Sequence, residues 1–178
     1  KGKEIIIKRK EIKKANLKID VVMPVPASSR TAAMGLAQKL DLPYREGLIK
    51  NRYIGRTFIM PGQEVRKKSI KYKLNAMSLE FKKKKVLLVD DSIVRGNTSK
   101  AIVKMCREAG VSKLYFASYS PPVQFPCVYG IDIPTSEELI GYGNSVEDIR
   151  KFMGADALFY GTLKDTFDSC NVKKADVK

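Results

Sequence analysis

The chain has 178 residues, 44% hydrophobic and 30% charged, with 34 Lys+Arg against 19 Asp+Glu, a net charge of +15 and no histidine. Its length serves one domain with a good core, or one domain and a small appendage; no apolar run nears the ~20 residues that span a bilayer, and no signal-peptide core precedes the first strand. Without histidine, imidazole catalysis and His-ligated zinc are excluded, and the cationic surplus points to an anionic partner, either a nucleic acid or a multiply phosphorylated small molecule.

The chain opens at Lys1 rather than at a methionine, as a fragment or a processed form would. Residues 4–18 are basic and weakly amphipathic, and a helix is predicted there. "DVVMPVP" (20–26) is a β-branched run closed by prolines and reads as a buried strand. Ser28 or Ser29 is placed to cap the next helix, in which Ala33, Leu36, Ala37 and Leu40 recur at helical spacing. "PYREGLI" (43–49) reads as a second, shorter strand. Residues 50–67, "KNRYIGRTFIMPGQEVRK", follow neither period and carry many cations, so a long loop is expected; loops of that length in compact domains usually serve function. "KVLLVDD" (85–91) is a fully apolar strand ending in two acids, and the lysines just before it read as a solvated surface. A helix follows over 98–109, burying Ile102, Met105, Cys106 and Ala109, with Gly110 as its C-terminal stop. "KLYFASYS" (113–120) and "DALFYG" (156–161) are further strands; 135–140, 145–153 and 162–170 are short helices. Apolar strands alternating with amphipathic helices predict one α/β domain, a mostly parallel sheet with helices on both faces. The expected division is a basic segment over 1–19, the domain over 20–170 and a tail over 171–178.

The chemistry concentrates in "VLLVDDSIVRGNTS" (86–99). Ligands of open α/β sheets lie beyond the carboxyl ends of strands, where the strand order reverses, and Asp90 and Asp91 stand at such an end. Gly96 permits close backbone approach or positive φ. Asn97, Thr98 and Ser99 then present donors at a helix start, which together with the helix dipole suits a phosphate. Two carboxylates beside a phosphate would repel it unless they accept hydrogen bonds from sugar hydroxyls or hold a divalent cation that the ligand also binds. The inferred ligand is a sugar phosphate; the plainer reading is that the acids begin a turn and cap a helix. No Gly-Lys-Ser/Thr loop or G-x-G-x-x-G is present, so neither a nucleoside triphosphate loop nor a dinucleotide fold is supported.

The same fourteen residues resemble the phosphoribosyl-pyrophosphate (PRPP) motif of type I phosphoribosyltransferases. Together with "VPASSRTAA", "PYREGLIKNRYIGRTFIMPGQ", "RKKSIKYKLNAM" and "FPCVYGIDIPTSEELI" they resemble the amidophosphoribosyltransferase family, over residues 20 to about 160. The resemblance implies the type I phosphoribosyltransferase fold and Mg²⁺-dependent formation of phosphoribosylamine from PRPP and ammonia, with release of pyrophosphate, at the start of purine synthesis. Position by position, it implies that Asp90 and Asp91 contact the ribose hydroxyls and, with Ser28, the Mg²⁺. Ser92 joins the PRPP contacts, and Arg95, Gly96, Asn97, Thr98 and Ser99 hold the 5′-phosphate. Asn97 stands where the family more often has threonine. Residues 50–67 match the family's closing loop, with Lys50, Tyr53 and Arg56 as its catalytic, site-facing residues. The family also implies inhibition by purine nucleotides, homo-oligomers and a cytoplasmic setting without membrane association.

Two departures shape the expectation. The family's glutaminase domain, with its N-terminal nucleophilic cysteine, has no counterpart ahead of residue 20, so the expected nitrogen source is free ammonia and glutamine hydrolysis is not expected. Cys127 matches a [4Fe-4S] ligand of some members, but Cys106, Cys127 and Cys170 fall short of four thiolates, so no cluster is expected and Cys127 reads as a small buried residue. An odd, scattered set of three also argues against disulfides and for a reducing compartment. The rival functions are a PRPP-binding regulator that binds nucleic acid without catalysis, supported by charge alone, and a nucleobase phosphoribosyltransferase, for which no base pocket is found.

Overall fold

The computed structural model describes residues 12, 15–51, 74–127 and 135–170, for 169 and 170 the backbone alone. In chain order the elements are β1 (Val21–Pro24), α1 (Arg30–Leu40), β2 (Leu48–Lys50), β3 (Leu74–Ala76), a one-turn α2 (Ser78–Phe81), β4 (Lys85–Asp90), α3 (Asn97–Glu108), β5 (Lys113–Ser118), a 3₁₀ turn at Ser136–Glu138, α4 (Val146–Met153), β6 (Ala157–Tyr160) and α5 (Leu163–Cys170). Four strands form one parallel sheet in the order β1-β4-β5-β6, with Val21 opposite Val86 and Val86 opposite Leu114.

The continuous apolar runs follow from burial on both faces. Successive side chains point to opposite sides of a pleated strand, and the core divides accordingly. Val21, Met23, Val86, Leu88, Leu114, Phe116 and Leu158 pack with Ile102, Val103 and Cys106 of α3 and Ile149 and Met153 of α4. Val22, Leu87, Val89, Tyr115, Ala117 and Phe159 pack with Ala33, Leu36 and Ala37 of α1, and Ile12 is buried in that same layer. Parallel strands need such covering helices, because crossovers lay one over each face.

The path of the chain creates the crevice. After α1 it returns to the outer side of β1, where Tyr44 bridges Val22; the Val22 N–H donates to Pro43 O (2.9 Å) and the Arg45 N–H to Val22 O (3.1 Å). It next crosses to the other side of β1, where β4 pairs with it. The direction of winding therefore reverses between β1 and β4, and their carboxyl ends open a gap there.

Several elements differ from expectation. Residues 43–49 do not make one strand: Tyr44 belongs to the edge of the main sheet, while β2 pairs antiparallel with β3 in a separate two-stranded sheet. Gly47 lies at the break, where an added Cβ would sit 2.7 Å from Met23 Sδ and 2.8 Å from Phe81, so backbone packs directly on the core. Neither β3 nor α2 was predicted. The helix expected over 135–140 is a single 3₁₀ turn. Leu139 takes extended backbone that buries its side chain, and the Ile140 N–H donates across to Val94 O (2.9 Å) instead of continuing a helix. Of the helix predicted over 4–18, only residues 12 and 15–18 are described: Ile12 is helical, but 15 and 16 form a turn and 17 and 18 have no regular structure, so the helix does not reach 18. Most of the loop over 50–67 lies outside the described residues.

Candidate active site

β4 carries the acidic pair to the gap. Its last residue, Asp90, is 7% exposed, and the backbone beyond it is fixed from β5: the Tyr119 N–H donates to Asp90 O and the Ser120 N–H to Asp91 O, each at 3.0 Å. The two carboxylates are held differently. Asp91 Oδ1 accepts from the Ser92 N–H (2.6 Å) and the Ser92 hydroxyl (3.3 Å), and its Oδ2 accepts from the Ser28 hydroxyl (2.5 Å). Asp90 Oδ1 accepts only the Asp91 N–H (2.9 Å) among the described residues. Burial, and next the neighbouring Asp91 charge, push the Asp90 carboxyl up to about 7. Asp91 is thus oriented and partnered, while Asp90 is buried with little to balance its charge.

Ser28 arrives from the turn after β1, which is tied to β4 by the Val25 N–H donating to Val89 O (2.7 Å). This turn carries a cis peptide between Pro26 and Ala27. Ser29 precedes α1 but does not cap it; its buried hydroxyl donates back to Val25 O, leaving the exposed Ser28 to face Asp91. Two loops 63 residues apart in sequence thus meet at the β1/β4 reversal.

After Asp91 the chain turns through Ser92–Arg95 into α3. Gly96 is the residue before its first turn, at φ +74°, and an added Cβ would lie 2.5 Å from Ile140 Cδ1 and 3.2 Å from Phe152. The left-handed backbone and the close packing both favour glycine here. Asn97 and Thr98 are exposed, whereas Ser99 is buried beneath them. α3 begins without a side-chain cap, so no capping side chain meets its first N–H groups at the positive end of this twelve-residue helix.

The described residues bring Ser28, Asp90, Asp91, Ser92 and residues 95–99 to one end of the sheet. Lys50 is exposed at the end of β2, with no ion pair to the acids among the described residues; Tyr53 and Arg56 lie outside them. Cys127 is a free, half-exposed thiol rather than a buried filler, since the proline-rich segment that carries it runs over the surface. Glu138, 43 residues from Arg95, was not among the expected site residues, yet its carboxylate accepts from the Arg95 Nε at 2.6 Å. Nor was Ile140, which covers Gly96.

Residues 3–119 match the phosphoribosyl transferase domain family. The chain belongs to that family. Curated relatives carry the matching region within longer chains. The chain is 58% identical over 151 residues to an amidophosphoribosyltransferase of Pseudomonas aeruginosa, covering 85% of this chain and 30% of that protein. It is 52% identical over 163 residues to that of Escherichia coli, covering 92% of this chain and 32% of that protein. Among solved structures it superposes on glutamine PRPP amidotransferase from B. subtilis complexed with ADP and GMP, with TM-score 0.78 and 45% identity over 93% of this chain and 36% of that one. The chain therefore spans about a third of the length of the relatives it matches.

Proposed function

We propose that this phosphoribosyltransferase domain forms 5-phosphoribosylamine from PRPP and ammonia and releases pyrophosphate, the amidophosphoribosyltransferase step of purine synthesis. The observation that carries the reading is the meeting of Ser28, Asp90 and Asp91 at the β1/β4 reversal, one turn of chain before the Gly96-led start of α3. A pentose with phosphoryl groups at both ends suits this layout. Asp90 and Asp91 accept from its ring hydroxyls, and the N–H groups and hydroxyls of 96–99, with Arg95, take the 5′-phosphate.

The donor set also fits Mg²⁺. Adjacent carboxylates and a hydroxyl are hard oxygen ligands, and two carboxylates with substrate phosphates are a usual magnesium environment. Asp90, buried with little to balance its charge, favours a nearby dication. Asp90, Asp91 and Ser28 would hold the ion, which supplies charge neutralisation and orientation of the diphosphate. In the reaction the ammonia nitrogen bonds to the ribose C1 carbon, the bond from C1 to the pyrophosphate oxygen breaks with its electron pair leaving on pyrophosphate, and the new ammonium group loses a proton to water. Ammonia carries its own lone pair, so no general base is required. The protein's part is to hold the ribose by its hydroxyls and far phosphate while positive charge grows at C1. Lys50, Tyr53 and Arg56 are assigned to the departing pyrophosphate, with the 50–67 segment keeping water from the reactive sugar.

The wider reading follows from the family. The B. subtilis relative was solved with ADP and GMP, which supports inhibition of this domain by purine nucleotides. Assembly into homo-oligomers and a cytoplasmic setting belong to the same proposal; no helix among the described residues is long and apolar enough to cross a membrane.

Pyrophosphate release from PRPP, measured with ammonium and Mg²⁺, tests the assignment. Asp90→Asn and Asp91→Asn should each cut turnover about 10- to 100-fold, the cost of one or two charge-assisted hydrogen bonds, without unfolding the domain. Full turnover in both variants defeats the assignment, and salt-sensitive DNA binding without turnover in the unaltered chain favours the regulator instead.

A further inference from the structure

Arg95 sits immediately before Gly96, at the mouth of the proposed 5′-phosphate cradle, and it is already engaged. Its Nε donates to Glu138 Oε2 at 2.6 Å, with the two side chains 33% and 46% exposed. The choice of nitrogen matters. A guanidinium has a side edge, which includes Nε, and an end-on fork formed by its two terminal amino groups. The bond to Glu138 uses the side edge, and neither terminal amino group meets a carboxylate among the described residues. A carboxylate that masked Arg95 would occupy the fork, the face that binds an anion in two parallel bonds. Glu138 holds the arginine from the side and leaves the fork open.

Glu138 is itself fixed on the same turn. It ends the 3₁₀ segment Ser136–Glu138; Leu139 beside it is 1% exposed, and Ile140 both donates its N–H to Val94 O and lays Cδ1 over Gly96. The carboxylate therefore belongs to a segment anchored to residues 94–96 on both sides of the arginine, and its position tracks the cradle. We propose that Glu138 is a positioning residue: it sets the direction of the Arg95 guanidinium so that its free fork faces the 5′-phosphate of the bound sugar. This deepens the PRPP reading and rests on it. The energetic trade is between lost rotamer freedom and repulsion. A free arginine must be ordered when phosphate binds, whereas one held by Glu138 is ordered beforehand, at the cost of one negative charge nearby. The net +15 of the chain softens that repulsion.

The test is calorimetric binding with Mg²⁺ of three probes, PRPP, ribose 5-phosphate and inorganic pyrophosphate, to the unaltered chain, Glu138→Gln, Arg95→Ala and the double variant. Glu138→Gln should weaken PRPP and ribose 5-phosphate alike, by about two- to fivefold, the range of a solvent-exposed ion pair, and leave pyrophosphate unchanged. In the Arg95→Ala background the same substitution should have no further effect, because Glu138 acts through Arg95. Glu138→Asp, which keeps the charge, should recover part of the loss. Unchanged or tighter ribose 5-phosphate binding in Glu138→Gln overturns the proposal, as does a loss that persists without Arg95 or that extends equally to pyrophosphate. Failure of the unaltered chain to bind PRPP removes the function reading and this inference with it; binding of PRPP with no response to Glu138→Gln removes this inference alone.

Discussion

At the scale of single residues, Asp90 and Asp91 show how neighbours of one type acquire different chemistry. Asp91 is oriented by Ser28 and Ser92, while Asp90 is buried and its carboxyl is raised from 3.8 to about 7. In the unfolded chain Asp90 titrates near 3.8, so between that pH and about 7 the folded protein holds the extra proton. By linkage, stability attributable to this residue is fully present below the unfolded value and falls as pH rises through the folded one, by on the order of 4 kcal/mol in all. Urea unfolding without Mg²⁺ or PRPP should therefore find Asp90→Asn close to the parent at pH 4 and more stable than it at pH 8. Parallel pH profiles for the two proteins would contradict the assignment of that burdened carboxyl. Such a residue is destabilising for the protein at neutral and higher pH. The acid pair was legible in the sequence because two like charges closing an apolar run have few structural uses. Which of the two is buried was not legible, since it depends on β5 and on Ser28 arriving from elsewhere.

At the scale of elements, β4 and α3 were readable because each is ruled by one local period and a clear stop: Val86–Val89 all apolar, and Ile102, Cys106 and Ala109 on one stripe ending at Gly110. β2 and β3 were not, because three residues each cannot display a period, and their pairing joins segments more than twenty residues apart. The link of β5 to β6 is similarly silent. It runs through Asp156, which accepts from the Leu114 N–H (2.7 Å), Arg107 (2.6 Å) and Lys113 (3.0 Å). Burial works to raise the Asp156 carboxyl, yet these donors outweigh it and hold it below the ordinary aspartate value. A lowered carboxyl contributes stability above its unfolded value and loses it as pH falls through the folded one. Asp156→Ala should cost about 1–3 kcal/mol at neutral pH, by orphaning the strand N–H and two cations. The deficit should shrink in acid, as followed by thermal melts at pH 7 and pH 3; a deficit that is constant with pH would show that the loss is packing alone.

At the scale of the molecule, one sheet with two apolar layers makes the interior a single cooperative unit, and Cys106 reports on it. Its side chain is fully buried on α3, and burial pushes the thiol up to about 12. A thiol that is neither reachable nor ionised does not react with alkylating reagents. Peptide mapping after iodoacetamide treatment should therefore show half-exposed Cys127 modified within minutes in the native protein, while Cys106 labels only at the rate of global opening. Urea below the unfolding midpoint should speed Cys106 in proportion to the fall in stability. Fast native labelling of Cys106 would mean that α3 opens separately from the sheet. Fold class was the most readable property of all, because alternating apolar strands and amphipathic helices leave few arrangements. The covering of Gly96 by Ile140 and the hold of Glu138 on Arg95 arise only once the whole chain has closed.

The hydroxyl of Ser28 and the carboxylate of Asp91 meet across 63 residues of chain. During synthesis at ~5–20 residues per second, β1 leaves the ribosome roughly 3–13 s before the segment that will flank it. Through that interval "VVMPV" has neither its partner strand nor its covering layers, and it is the stretch a chaperone would hold. The contact between Ser28 and Asp91 forms only once the central strand has arrived, so the acid pair and the turn that faces it are assembled late in synthesis.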